Sequence, residues 1–487
     1  MDQNLLQLII LIGGIILIAS VFLSKVTYKF GIPTLILFLT IGMITGIFVK
    51  FNDFKLAETV ATVALMTIIF SGGFDTNWKR AKNNSPVSIT LASLGVILTA
   101  GFVGVFTWLV FDFTLIESLL VGAIISSTDA AAVFSILRAK KLNFKNDMGP
   151  LLEMESGSND PTSYMITVVI LGMITGESSN IVLTFLLQII VGIGIGAIVG
   201  YVGTKIINSI KIEIDGLYII LGIAMMLLSY GGASVIHGNG LLAVYITGLI
   251  MGNKNIVYKA SLTQFFDGIS WLAQILLFFV LGLFVTPAQL FTWQVLLPGV
   301  GIALFISFVA RPLAVTPIMK LFKKPLKDTI LVSWVGFRGA ASIVFAIIVL
   351  AADPTGFSNS GTQMLIFNIV FIVCVVSVLL QGLSLVPVAK KLDMAQGEET
   401  ELITFTNYSG AIYADMLEVH VENNDSVVNK KIKDLNIPSA YLIVLIKRDN
   451  MMIAPKGDTV ILADDVLLLS ATTKQDLYEA DRIIRGL

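Results

Sequence analysis

From residue 5 to residue 390 the chain alternates apolar blocks, most close to 20 residues long, with short polar stretches. About 20 apolar residues of α-helix cross the hydrocarbon core of a bilayer, so the pattern predicts membrane-spanning helices. Thirteen are counted, over 5–24, 32–49, 57–74, 85–111, 114–138, 148–174, 181–208, 215–235, 239–252, 261–285, 291–320, 328–352 and 362–390. The first block follows Met1–Asp2–Gln3–Asn4 with no basic region, and reads as a retained helix. After Leu392 the pattern changes. Residues 393–409 are polar and acidic, a linker. Residues 410–487 show short alternating runs, with strands expected over Ala414–Val421, Tyr441–Arg448, Thr459–Ile461 and Val466–Ser470. Helices are expected there over Lys430–Asn436 and Gln475–Arg485. The expected fold is an all-α polytopic membrane protein of about 13 transmembrane helices (1–392), followed by a small α+β domain (410–487).

Composition agrees. Of the 487 residues 56% are hydrophobic and only 13% charged, against about 25% charged in soluble proteins; mean hydropathy is +0.88. The net charge of −1 hides an asymmetry: one alternate set of loops carries nineteen lysines and arginines, the other only Lys50 and Lys55. By the positive-inside rule the N-terminus lies outside and the C-terminal domain in the cytoplasm of a cell-membrane protein. The single cysteine, Cys374, excludes an internal disulfide, and two histidines, His237 and His420, exclude a His-rich metal site. Basic loops here serve topology and give no sign of nucleic-acid binding. Gly192, Gly194 and Ala197 fit a dinucleotide-binding spacing but lie inside an apolar block with no strand before it. Gly192, Gly196 and Gly200 read instead as a helix-packing face.

Ionisable residues inside spans are expensive and are candidates for function. Five stand out: Asp129, Glu155, Asp160, Arg311 and Arg338. The fifth span holds Ser126–Ser127–Thr128–Asp129 at its middle, which suits an unwound helix whose carbonyls and hydroxyls can coordinate a dehydrating cation. In the sixth, Ser156 and Asp160 are four apart and share a helix face, with Glu155 and Asn159 on a neighbouring one. A carboxylate there binds a proton or a dehydrated cation, not both, which is the competition an exchanger requires. Arg311, in Ala310–Arg311–Pro312, needs a buried carboxylate partner. Arg338 is followed by Gly339 and preceded by Gly336, which weaken the twelfth span at its middle. Two interrupted spans, one in each half, point to inverted repeats with two broken helices crossing at a site.

On Thr128–Asp129 in a broken span, Glu155–Ser156 followed by Asn159–Asp160, Arg311, and Phe337–Arg338–Gly339, the chain resembles the monovalent cation–proton antiporters of the Asn–Asp subgroup. The resemblance covers about residues 5–390. It implies a secondary active transporter, not an enzyme, that exchanges K+ or Na+ for protons and carries no cofactor. Asp160 would alternate between proton and cation, with Asp129, Thr128 and Ser156 completing the shell, so the monovalent cation at Asp160 and Asp129 would be the only metal. Asn159 stands where the electrogenic subgroup has a second aspartate, which implies electroneutral one-for-one exchange. Glu155 would form the structural ion pair with Arg311 in preference to Arg338. Members are homodimers in which a core domain moves against a dimerisation domain. Residues 410–487 resemble a TrkA-C domain without its nucleotide-binding half. Similar domains in potassium transport bind cyclic di-AMP, which makes a cyclic dinucleotide the candidate regulatory ligand and favours K+. A potassium channel is disfavoured because no T-V-G-Y-G filter occurs, and an intramembrane protease because no metal-ligand cluster does.

Overall fold

The computed structural model describes residues 7, 11, 13–22, 35–48, 53–176, 180–210, 212–397, 415–422, 425–435, 441–448, 451–471, 482 and 484. They fall into two compact units, Met1–Glu399 and Thr400–Leu487.

The first unit is helical. In order come α1 (Gly13–Phe22), α2 (Leu35–Phe48), α3 (Phe54–Asp75), α4 (Ser85–Val110), α5 (Leu115–Ile124), α6 (Ala130–Ala139) and α7 (Met148–Thr175). Then follow α8 (Ile181–Ser209), α9 (Gly216–Val235), α10 (Gly240–Asn253), α11 (Lys259–Phe284), α12 (Trp293–Leu321), α13 (Leu326–Trp334), α14 (Ala340–Ala351) and α15 (Thr362–Lys391). Among the described residues seven of these are long and apolar enough to cross a membrane by length and composition: α3, α4, α8, α9, α11, α12 and α15. Helix α7 is long enough at 28 residues, but the polar run around Glu155–Ser163 interrupts its apolar character. Local sequence sets the ends. Asp53 caps α3 through the Leu56 amide, Thr114 and Glu117 form a capping box on α5, and Asn180 and Asn239 cap α8 and α10.

Two features repeat. Helix α4 contains a π turn at Leu91–Gly95 and leads into the interrupted pair α5–α6; α12 contains one at Ile306–Ala310 and leads into the interrupted pair α13–α14. In α12 the cause is visible: Pro312 lacks the amide that would bond the Phe308 carbonyl. Close backbone contacts at glycines then bind helices into bodies. A methyl group at Gly196 of α8 would stand 2.6 Å from the Ala243 oxygen of α10, and one at Gly282 of α11 would stand 2.4 Å from the Leu39 oxygen of α2. Gly192 and Gly200 press on α10 in the same way, so this stretch is a packing face and not a nucleotide loop.

The second unit has an antiparallel sheet of β3 (Asp415–His420), β4 (Tyr441–Arg448), β5 (Met451–Ile453) and β6 (Val466–Ala471), in the order β3-β6-β4-β5. Val419, Ile443, Ile446, Ile461, Leu467 and Leu469 build its core. Three details differ from the sequence reading. Thr459–Ile461 forms a single bridge, Lys431 to Val460, because its amides and carbonyls bond the irregular stretch 429–432. Helix over Lys430–Asn436 is reduced to a 3-10 turn, Ile432–Asp434. Strand β5 is an added hairpin partner too short to show alternation. The helix expected over Gln475–Arg485 lies outside the described residues, except that 482 and 484 are helical.

The start of the expected linker is also ordered. Within the first unit, β1 (Leu142–Phe144) pairs antiparallel with β2 (Ala395–Gly397), matching Asn143 with Gln396. Lys145 extends the pairing: its amide donates to the Met394 oxygen at 2.9 Å and its Nζ meets Asp393 Oδ1 at 2.8 Å. The rest of the linker lies outside the described residues.

Candidate functional site

The two interruptions cross. Residues 125–129 connect α5 to α6 and residues 335–339 connect α13 to α14, and neither stretch is helix. The Asp129 amide donates to the Phe337 oxygen at 2.8 Å, and Arg338 Nη1 donates to the Ser126 and Ser127 oxygens at 2.7 and 2.6 Å. Asp129 is the N-cap of α6, accepting from the Ala132 amide at 3.2 Å, and it also faces the Ala340 amide that opens α14. Its carboxylate thus serves the positive ends of two half-helices at once. Gly339 permits this: a methyl there would lie 2.0 Å from Asp129 Oδ2. Behind the crossing, Ser377 Oγ accepts from the Arg338 amide at 3.2 Å and donates to Gln381 at 2.9 Å.

Helix α7 lays its polar run against the first interruption. Ser156 Oγ donates to the Thr128 oxygen at 2.8 Å and accepts from the Ala130 amide at 3.0 Å. Asn159 Nδ2 donates to Thr128 Oγ1 at 2.5 Å. Ser127 Oγ donates to Asp160 Oδ1. Thr128, Asp129, Ser156, Asn159 and Asp160 are therefore brought together. The carbonyls of Ser126, Ser127 and Thr128 each accept one hydrogen bond, from Arg338 or Ser156, which leaves each a second lone pair. An unwound segment in an apolar surrounding must satisfy its polar groups, and these two side chains do so.

The other face of α7 is closed. Glu155 Oε1 meets Arg311 Nη2 at 2.7 Å, each side chain 1% exposed. Gly336 leaves room for that arginine, since a methyl there would stand 3.2 Å from its Nε. Arg338, grouped with this pair in the sequence reading, makes no salt bridge among the described residues. It is spent on the two carbonyls instead, because it lies directly across the unwound strand.

A cavity of about 200 Å³ reaches the crossing. Its inner wall has Ser127, Thr128, Asp129, Ser156, Gly157 and Asp160; its mouth has Asp75, Arg138, Glu153 and Asp267. The mouth residues lie beside the loops rich in lysine and arginine.

The chain matches the family model described as sodium/hydrogen exchanger, transmembrane, over residues 15–391. It belongs to the sodium/hydrogen exchanger family. A second match, over residues 416–484, is to the TrkA-C domain. Among curated relatives, a K(+)/H(+) antiporter NhaP2 of Shewanella sp. (strain ANA-3) is 34% identical over 489 residues, 97% of this chain and 83% of that one. A K(+)/H(+) antiporter NhaP of Alkalimonas amylolytica is 31% identical over 476 residues, 95% of this chain and 81% of that one. A Na(+)/H(+) antiporter NhaH of Halobacillus aidingensis is 28% identical over 321 residues, 63% of this chain and 76% of that one. The fold resembles that of the sodium proton antiporter MjNhaP1 of Methanocaldococcus jannaschii, with TM-score 0.69 and 24% identity, over 78% of this chain and all of that one.

In this exchanger the mouth carboxylates escaped the sequence reading. Asp75 and Glu153 stand at span ends next to basic loops and look like ordinary loop charges, although Asp267 lies inside an apolar block and could have been flagged on that ground.

Proposed function

We propose that this exchanger family member is a secondary active antiporter that trades one monovalent cation for one proton across the cell membrane, with Asp160 as the shared site. The observation that carries this reading is the isolation of Asp160. It lines the cavity, receives a hydroxyl from Ser127, and has no basic partner among the described residues. Its negative charge must be balanced from solution, by a proton or by a cation.

Thr128, Asp129 and Ser156 hold the surrounding shape. Asn159 is neutral and Asp129 is engaged by two helix termini, so one carboxylate changes partner and the exchange is one-for-one. Potassium is favoured over sodium by the relatives named K(+)/H(+) antiporters and by the TrkA-C match. The N-terminus is placed outside and the cavity mouth, with its basic loops, on the cytoplasmic side. The glycine-tight packing of α2 on α11 and α8 on α10 suits rigid bodies that slide in a homodimer. Regulation through the domain at 410–487, by a small ligand such as cyclic di-AMP, has a route: β2, which begins the connection to that domain, is paired to the loop between α6 and α7.

Purified protein in proteoliposomes, carrying an internal pH dye and challenged with K+ and then Na+, tests the reading. Cation-driven proton movement that Asp160→Asn removes is expected. Exchange that survives the substitution refutes it.

A further inference from the structure

A monovalent cation that sheds its water needs a shell of oxygen atoms in exchange. The carbonyls of the unwound strand already share their oxygens with Arg338 and Ser156, one hydrogen bond each. In an intact helix each carbonyl likewise takes the amide four residues on.

Helix α7 contains one exception. Residue 161 is proline, inside a helix that runs without a break from Met148 to Thr175. Proline has no N–H, so the carbonyl four residues earlier, that of Gly157, lacks its helical donor. Gly157 lines the cavity together with Ser156 and Asp160. Having no side chain, it can present only backbone there. A side chain is not tolerated, since a methyl at Gly157 would lie 2.5 Å from Cε2 of Tyr245. The helix is also pinned at this point: Asn239 Nδ2 donates to the Pro161 oxygen at 2.9 Å. The carbonyl released by Pro161 and the carboxylate of Asp160 therefore occupy the same turn of α7, at the same cavity.

We infer that the main-chain carbonyl of Gly157 is a ligand of the transported cation, and that Pro161 is the positioning residue that keeps it open. This rests on the reading of Asp160 as the exchange site. A carbonyl adds a dipole and no charge, so the one-for-one balance is unaffected: the cation leaves Asp160 and the carbonyl as a proton takes the carboxylate.

The experiment restores the missing donor. Pro161→Ala returns an N–H to the Gly157 carbonyl and is expected to raise the half-saturating K+ concentration at least fivefold. The maximal exchange rate at saturating K+ should stay within about twofold. Replacing Pro161 by lactic acid, through nonsense suppression, gives an ester that lacks both the ring and the N–H; it should keep the wild-type half-saturating concentration. The same ordering is expected in the K+-dependent rise of the melting temperature, which needs no transport. An unchanged half-saturating concentration in Pro161→Ala overturns the inference. So does an equal rise with the ester, which would assign the effect to the proline ring. If Pro161→Ala does not fold, the ester decides alone: a raised half-saturating concentration overturns, a wild-type one supports. Asp160→Asn, run in parallel, separates the two levels. Loss of exchange there with either overturning result removes only the carbonyl, whereas retained exchange removes the site itself.

Discussion

Helix α7 carries a buried and a half-buried carboxylate five residues apart and deals with them in opposite ways. Glu155 faces Arg311 at 2.7 Å, and both are almost fully withdrawn from solvent. Asp160 faces a cavity, with a serine hydroxyl and, among the described residues, no basic side chain. The same residue chemistry on one helix thus serves two ends. A buried carboxylate with a permanent counter-charge holds helices together. One without it must fetch its counter-charge from solution, and whatever it fetches can be released again. Paired carboxylates elsewhere extend the comparison towards the surface, through Asp465 to Asp393.

The largest effect is expected at the unpaired carboxylate. Asp160→Asn keeps the side chain's volume and removes its charge, so the protein should remain folded while cation-driven proton release disappears. In the unaltered protein, lowering the pH should suppress exchange, as protons outcompete the cation for Asp160. A variant that exchanges near the normal rate would erase the distinction between the two faces of α7.

At the permanent pair the loss should appear in stability. Arg311→Ala strands Glu155 in a buried site, a change that costs about 3–5 kcal/mol. The variant should melt well below the parent in detergent. Adding Glu155→Ala should recover part of that loss, because the stranded charge is gone. If the two single losses merely add, the ion pair does not couple the helices.

The pair in the C-terminal unit is intermediate. Arg448 Nε and Nη2 meet the two carboxylate oxygens of Asp465 at 2.7 Å each, with Asp465 0% exposed and Arg448 27% exposed. Burial alone would raise the Asp465 carboxyl, but hydrogen bonds from Arg448 and the Leu462 amide prevail and hold it below the usual range. A depressed carboxylate stabilises above its unfolded pKa, about 4, and that contribution fades as pH falls through the folded value. Asp465→Asn should therefore loosen the unit by about 2 kcal/mol at neutral pH. Faster hydrogen exchange of the β6 amides would report it, and the difference from the parent should shrink in acid. A constant difference at all pH values would mean that the charge is not what matters.

Much of this hierarchy can be read along the chain. Charges inside apolar blocks are rare enough that Asp129, Glu155, Asp160, Arg311 and Arg338 announce themselves, and polar or glycine runs at mid-span give away the two interruptions. What stays hidden is which groups meet. The resemblance favours Arg311 over Arg338 as the partner of Glu155, but the two carbonyls that receive Arg338 emerge only from the crossing geometry. The availability of a carbonyl is likewise a property of three dimensions, since it depends on who else donates to it. Strand β2 is invisible for a further reason: three residues, Ala395–Gly397, carry no alternation, and their partner lies some 250 positions earlier.

The smallest effect is expected at Asp393, and it sharpens the comparison from the opposite end. Its carboxyl lies outside the spans and is held below the usual range by the hydrogen bond and charge of Lys145. Both groups are exposed, so water screens the pair, and Lys145→Ala should leave the melting temperature unchanged within error. Any role of this pair lies in where it sits. Lys145 and Asp393 flank the β1–β2 pairing, which ties the start of the regulatory connection to the loop between α6 and α7. Asn143 and Gln396 are direct cross-strand partners, at a spacing of about 4.5–5.5 Å between Cα atoms in such ribbons, within the range a disulfide can bridge. The buried Cys374 should not compete. A full-length protein carrying Asn143→Cys and Gln396→Cys should therefore lock on oxidation and unlock with dithiothreitol. If β2 transmits the state of the C-terminal domain, the oxidised form should exchange with a flattened pH profile and regain the parental one on reduction. Identical profiles in both forms would reduce the strand pair to packing, and regulation would then have to reach Asp160 by another path.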